Sequence, residues 1–325
     1  MQGFEHDDAV HQYTFFSPQD HSASCSNPSA QKDDSDKNIE TNSIPPTSTA
    51  SLNTLGYSPM PLATYLSIIT KITTTSPQTR TKPFIISITG TPTEILESHR
   101  LISATQHQIP ATNPLCIEIN LSCPNIPNKP PPAYSKPALL EYLNALGSAQ
   151  REEQLRETAA DPATRGRIAT GLKTPPYTYH GQFQTLLDAL LEAAPQCEID
   201  FLTATNTLGS SLLLQAPHAN AGNSNASYSP ALSSASGTGI GGLAGAPLHP
   251  LALGNVKTLR GLLDSHESLR GVKVIGVGGV EDSGGFRRMR AVGAEVVGVG
   301  TALGREGLDV FGKILGVGGG EVSRL

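Results

Sequence analysis

The stretch IEINLSCPNIPNKP, residues 117–130, brings a thiol, a hydroxyl and two carboxamides to one short turn. Asn120, Ser122, Cys123 and Asn125 follow directly on an alternating apolar run. A thiol ordinarily titrates near ~8.5 and serves as a general base once its surroundings help. Cys116 and Cys197 read as small buried hydrophobes. Cys123 differs because it follows the strand, in a Pro-rich loop with polar neighbours. Each Asn offers one acceptor and two donors. Asn125 alone is explained by turn capping beside Pro. Together with Asn120, Asn206 and Asn53 it makes a polar set suited to a flat ligand whose edge alternates N–H and C=O, such as a pyrimidine.

Two glycine turns carry a second chemistry. GVGG (276–279) and GVGTALG (298–304) each end an apolar run and lead towards a helix. Glycine lets backbone N–H groups approach a phosphate, and a helix N-terminus adds a favourable dipole. Plain βα turns favour Gly as well, but a pair on successive strands reads as one phosphate cradle. Lys173 ends an otherwise apolar strand. At a barrel mouth its ammonium would hold an anionic cofactor ring; elsewhere it would be a solvated surface lysine.

The elements that must position these groups alternate. Apolar runs at 83–90, 115–122, 167–173, 199–207, 272–280 and 296–303 predict buried strands. Helical periods at 137–157, 183–194, 250–266 and 284–293 separate several of them. Such alternation predicts βαβ units and a parallel sheet. Polar residues at the C-terminal end of nearly every strand favour a (β/α)8 barrel over an open doubly wound sheet, because barrel strand ends converge on one site. Residues 17–51 and 215–239 are polar and poor in large apolar side chains, so both are expected as loop or disordered insertions in a single domain over 1–325.

The 325 residues carry a net charge of −5 with charges scattered, which gives no reason to expect nucleic acid or an anionic membrane as a partner. Four cysteines without CxxC or metal-ligand spacing argue against a disulfide framework and against a metal site. No apolar run is long enough to span a bilayer, and the acidic start lacks the layout of a signal or transit peptide. A cytoplasmic protein is the expectation.

INLSCPNIP, GLKTPPY, TATNTLG, GGLAG with LHPLALGNV, IGVGGV and VGTALGREG, taken together, resemble the class 1A dihydroorotate dehydrogenases. These are the soluble FMN enzymes of pyrimidine synthesis. The resemblance runs from about residue 51 to about 315 and implies a (β/α)8 barrel, a homodimer and fumarate as electron acceptor. It implies that Cys123 removes the C5 proton of dihydroorotate while the C6 hydrogen leaves as hydride to the flavin. Asn53, Asn120, Asn125, Asn206 and Thr207 resemble the substrate-binding set, with the backbone of Leu55, Gly56 and Tyr57 beside them. Asn120, Lys173 and Thr205 match flavin-contacting positions. Gly245, Gly278, Gly279, Gly300 and Thr301 match the FMN cradle. The family's opening strands, with an Ala-Ser-Gly turn and a Lys-Ser pair, have no counterpart before residue 51. Ala244 replaces a usual glycine. A barrel short of two strands is therefore expected. The alternatives are a catalytically impaired barrel of this family, or another FMN barrel acting on a uracil-like ring.

Overall fold

The computed structural model describes residues 5–24, 44–75, 82–122, 130–158, 167–216 and 227–316. The first elements are β1 (Tyr13–Phe16), β2 (Ala23–Ser24), β3 (Ala50–Asn53) and α1 (Leu62–Thr75). Then alternate β4 (Phe84–Ile88), α2 (Pro92–Gln106), β5 (Leu115–Asn120), α3 (Lys136–Thr158), β6 (Ala169–Thr174), α4 (His180–Ala193) and β7 (Phe201–Ala204). The short strands β8 (Leu208–Ser211), β9 (Leu214–Gln215), β10 (Ser229–Pro230) and β11 (Gly241–Gly245) follow. After them come α5 (His249–Asp264), β12 (Lys273–Val277), α6 (Ser283–Ala291), β13 (Val296–Gly298), α7 (Thr301–Glu306) and α8 (Asp309–Leu315).

The six expected strands form one parallel sheet in the order β13-β12-β7-β6-β5-β4, part of a (β/α) barrel left open between β13 and β4. The run read as a strand over 296–303 stops at Gly298, because helix α7 begins at Thr301.

Side chains alternate across the sheet. Ile86, Ile88, Ile117, Ile119, Leu172, Leu202 and Val274 point towards the helices and belong to the main core. The helices answer with stripes at helical spacing. Leu139, Leu143 and Leu146 of α3 are fully buried, as are Ala252 and Val256 of α5. Helix α4 buries Phe183, Leu186, Leu187 and Leu190. Helix α2, absent from the sequence reading, starts with a capping box: Thr91 caps Glu94, Glu94 answers the Thr91 backbone, and Pro92 stands at the first turn.

The opposite face is the lumen side. It carries Ser87, Cys116, Glu118, Asn120, Lys173 and Thr203, and the Ser87 hydroxyl donates to Glu118 Oε1 at 2.7 Å. Both edges of the opening expose apolar side chains, Ile85 at 46% on β4 and Val296 at 53% on β13.

A second, antiparallel sheet in the order β2-β1-β3-β11-β8 was not legible in the sequence. It has its own small core of Phe16, Ala50, Leu52, Leu213 and Leu232. Within the polar stretch 17–51, Ala23–Ser24 and the start of β3 are strand, and Ser48 is buried. Within 215–239, Ser229–Pro230 pairs with β9.

Candidate active site at the strand ends

Three lumen-side residues line up across neighbouring strands. Asn120 at the end of β5 is in register with Lys173 on β6, and Lys173 with Thr203 on β7. Beyond this row the chain turns back on itself through side-chain bonds. Asn206 Nδ2 donates to Ser122 Oγ at 2.9 Å and to Asn120 Oδ1 at 3.3 Å. The Ser122 amide and hydroxyl donate to the same Asn120 oxygen at 3.3 and 3.0 Å. Asn120 Oδ1 thus accepts three bonds from within the chain, while its amide hydrogens have no acceptor among the described residues.

The antiparallel sheet continues the set. Asn206 Oδ1 accepts the Thr207 amide at 2.8 Å. Asn53 Nδ2 donates to the Gly242 carbonyl at 3.1 Å, and a Cβ at Gly242 would collide with the Thr207 hydroxyl. Asn53, Thr207, Asn206 and Asn120 are therefore contiguous. Tyr57 joins them: it lines a narrow crevice with Thr89, Asn120, Leu121 and Tyr142. Leu55 and Gly56 lie in the loop after β3, with Leu55 exposed. Cys123 and Asn125 lie outside the described residues.

The glycines also converge. Gly278 and Gly279, after β12, have φ of +140° and +64°. A Cβ on Gly279 would stand 2.7 Å from the Gly245 carbonyl oxygen, and one on Gly245 would stand 3.2 Å from Thr301 Cγ2. The Thr301 hydroxyl is bonded to Ser51 of β3 at 2.9 Å. Gly300 is exposed, with open space where a Cβ would go. Beneath this cradle the buried Arg305 pairs with Glu281 at 2.7 Å and Glu306 at 2.9 Å. Burial pushes the Glu281 carboxyl above its ordinary value, against the lowering effect of Arg305.

Thr203 escaped the sequence reading, whereas Thr205 was expected as a flavin-contacting position. Thr203 and Thr205 have buried hydroxyls with no hydrogen-bond partner among the described residues. Their alternation with Phe201 in IDFLTATNT was the available signal. The two described cysteines are different. Burial pushes Cys197 up to about 12 and raises Cys116 as well, so neither is a thiolate near neutral pH.

A family model described as dihydroorotate dehydrogenase matches residues 41–316. The chain belongs to the dihydroorotate dehydrogenase family. Dihydroorotate dehydrogenase (fumarate) of Trypanosoma cruzi is 30% identical over 238 residues, 72% of this chain and 62% of that protein. Dihydroorotate dehydrogenase A (fumarate) of Lactococcus lactis is 29% identical over 198 residues, 61% of this chain and 52% of that protein. The chain thus spans between half and two thirds of these relatives' length. The crystal structure of the Eimeria tenella DHODH in complex with ferulenol matches with a TM-score of 0.57 at 19% identity, over 82% of this chain and 65% of that one, which shows a shared fold.

Proposed function

We propose that this family member oxidises dihydroorotate to orotate with FMN as cofactor and fumarate as electron acceptor, in pyrimidine biosynthesis. The observation that carries the reading is the continuity of two half-sites. The Asn120–Asn206–Thr207–Asn53 chain meets the glycine cradle through β3, which supplies both Asn53 and the Ser51 partner of Thr301.

The residues present fit FMN on three counts. Two buried threonine hydroxyls lack partners among the described residues. Lys173, in register between Asn120 and Thr203, forms no ion pair among them. Gly279 and Gly245 approach each other where a Cβ would not fit. Bound FMN supplies the two-electron acceptor. Lys173, Thr203 and Thr205 would hold the ring, the ammonium offsetting its negative charge, while Gly245, Gly278, Gly279, Gly300 and Thr301 would hold the phosphate. The amide of Asn120, with Asn53, Asn125, Asn206 and Thr207, orients the pyrimidine. Cys123 receives the C5 proton on sulfur. The same reading takes a homodimer as the assembly and the cytoplasm as the compartment. No helix of the described residues is long and apolar enough to cross a membrane.

Anaerobic bleaching of the flavin by dihydroorotate is the test. The wild-type chain loaded with FMN should bleach, and Cys123→Ala should bleach roughly 10²- to 10⁴-fold more slowly with FMN still bound. No bleaching by the wild type overturns the reading; equal rates in the variant overturn the role of Cys123.

A further inference from the structure

We propose that His249, fixed in one tautomer by Arg288, is a positioning residue that aims the Gly279 amide into the phosphate cradle. The proposal rests on the FMN reading above. His249 is the first residue of α5 and is buried. Its Nδ1 lies 2.7 Å from the Gly278 carbonyl oxygen, and its Nε2 lies 3.1 Å from Arg288 Nε.

A guanidinium N–H only donates. Nε2 must then present its lone pair, which places the proton of the neutral imidazole on Nδ1. Nδ1–H donates to the Gly278 carbonyl. Across a trans peptide the carbonyl of one residue and the N–H of the next point in opposite directions. Anchoring Gly278 O on the histidine side therefore sends the Gly279 N–H to the other side. The bond also polarises that peptide, which strengthens its amide as a donor.

Such an anchor has a purpose at this place. The peptide lies between two glycines, both at positive φ, and glycine imposes little preference on its own dihedrals. Left alone, it would turn over readily. Among the described residues no backbone acceptor takes the Gly279 amide. The start of α5 also sits close under the turn: a Cβ on Gly279 would stand 2.7 Å from His249 Cβ. Arg288 is exposed and reaches back from α6, so the device links the loop after β12 to the helices on either side of that strand.

The first arm of the test needs no flavin. Long-range proton–nitrogen correlation on the ligand-free chain should show His249 with its proton on Nδ1, and Arg288→Met should raise the share of rings that carry it on Nε2 and no longer donate to the Gly278 carbonyl. A proton on Nε2 in the wild type overturns the proposal. The second arm compares FMN with riboflavin, which lacks the phosphate. Arg288→Met and His249→Leu should weaken FMN roughly 3- to 10-fold, the worth of one hydrogen bond, and leave riboflavin unchanged. His249→Asn, which keeps a donor near the Nδ1 position, should recover most of the loss. Arg288 is a surface residue, so its variant keeps the arm decisive if His249→Leu folds poorly. Equal losses for both flavins, or none for FMN, overturn the proposal while leaving the FMN reading intact. A wild-type chain that binds neither flavin overturns both.

Discussion

Replacing Gly279 by Ala tests the cradle most directly. At φ +64° an L-residue pays about 1–2 kcal/mol for the left-handed region. The new methyl would also stand 2.7 Å from the Gly245 carbonyl oxygen and 2.7 Å from His249 Cβ. One neighbour is backbone and the other the Cβ of a buried ring, so neither swings away. Relief requires a shift of loop or helix, typically about 1–3 kcal/mol. Together the two effects come to roughly 2–5 kcal/mol. If the loop stays in place, the loss appears as stability of the ligand-free chain. If it moves, the loss appears as weaker FMN binding. Urea denaturation with and without FMN separates the two, because a ligand stabilises only the form it binds. Gly300→Ala is the control. Its φ is −121° and its Cβ would meet nothing within 4 Å, so stability should change by less than about 0.5 kcal/mol. A Gly279→Ala chain that matches the wild type in both denaturation and FMN affinity would refute the placement of the cradle.

Three further outcomes are expected. Asn206→Ala removes the donor to Asn120 and Ser122 and should lower kcat/KM for dihydroorotate roughly 10- to 100-fold with the flavin spectrum unchanged; a normal kcat/KM refutes the role. His99 on α2 is fully buried, with Glu153 at 3.7 Å and Glu152, Arg156 and Arg167 in its field; burial pushes its imidazole below the usual 6.5, with Glu153 opposing. The unfolded chain then binds a proton that the folded chain refuses, so stability should fall as pH drops below 6.5, and His99→Leu should flatten that slope in denaturation curves. Ile85 and Val296 are exposed on the two strand edges that are unpaired among the described residues, so the chain should self-associate, and Ile85→Lys with Val296→Lys should suppress this in light scattering; a wild type that scatters as a monomer refutes it.

How much could be read from the sequence followed from pattern length. Most of the parallel strands were legible because they are apolar runs ended by a polar residue or a glycine turn, which is also why Asn120, Lys173 and Asn206 stood out. The antiparallel sheet was not. Its strands β1 and β3 have four residues each, and β3 finds its partner β11 nearly two hundred residues away. Local periodicity carries no trace of such pairing. Helix α2 did leave a signal, the capping box beginning TPTE, ahead of a weakly periodic segment. His249 and Arg288 offered none. A lone histidine beside Pro250 and one arginine among three reveal their relation only once α5 and α6 flank the same turn.

The bond between Ser51 and Thr301 has a consequence for synthesis. The two residues are separated by 250 positions. At about 5–20 residues per second, a ribosome delivers the second some 12 to 50 s after the first. Over that interval a nascent chain can stack its βα units one after another, since each contacts its neighbour in sequence. The joint between the amide-lined half and the glycine half must wait until Thr301 has emerged. On the proposed reading, ligand capture follows that joint, and a chain released before Thr301 would have stacked βα units without it.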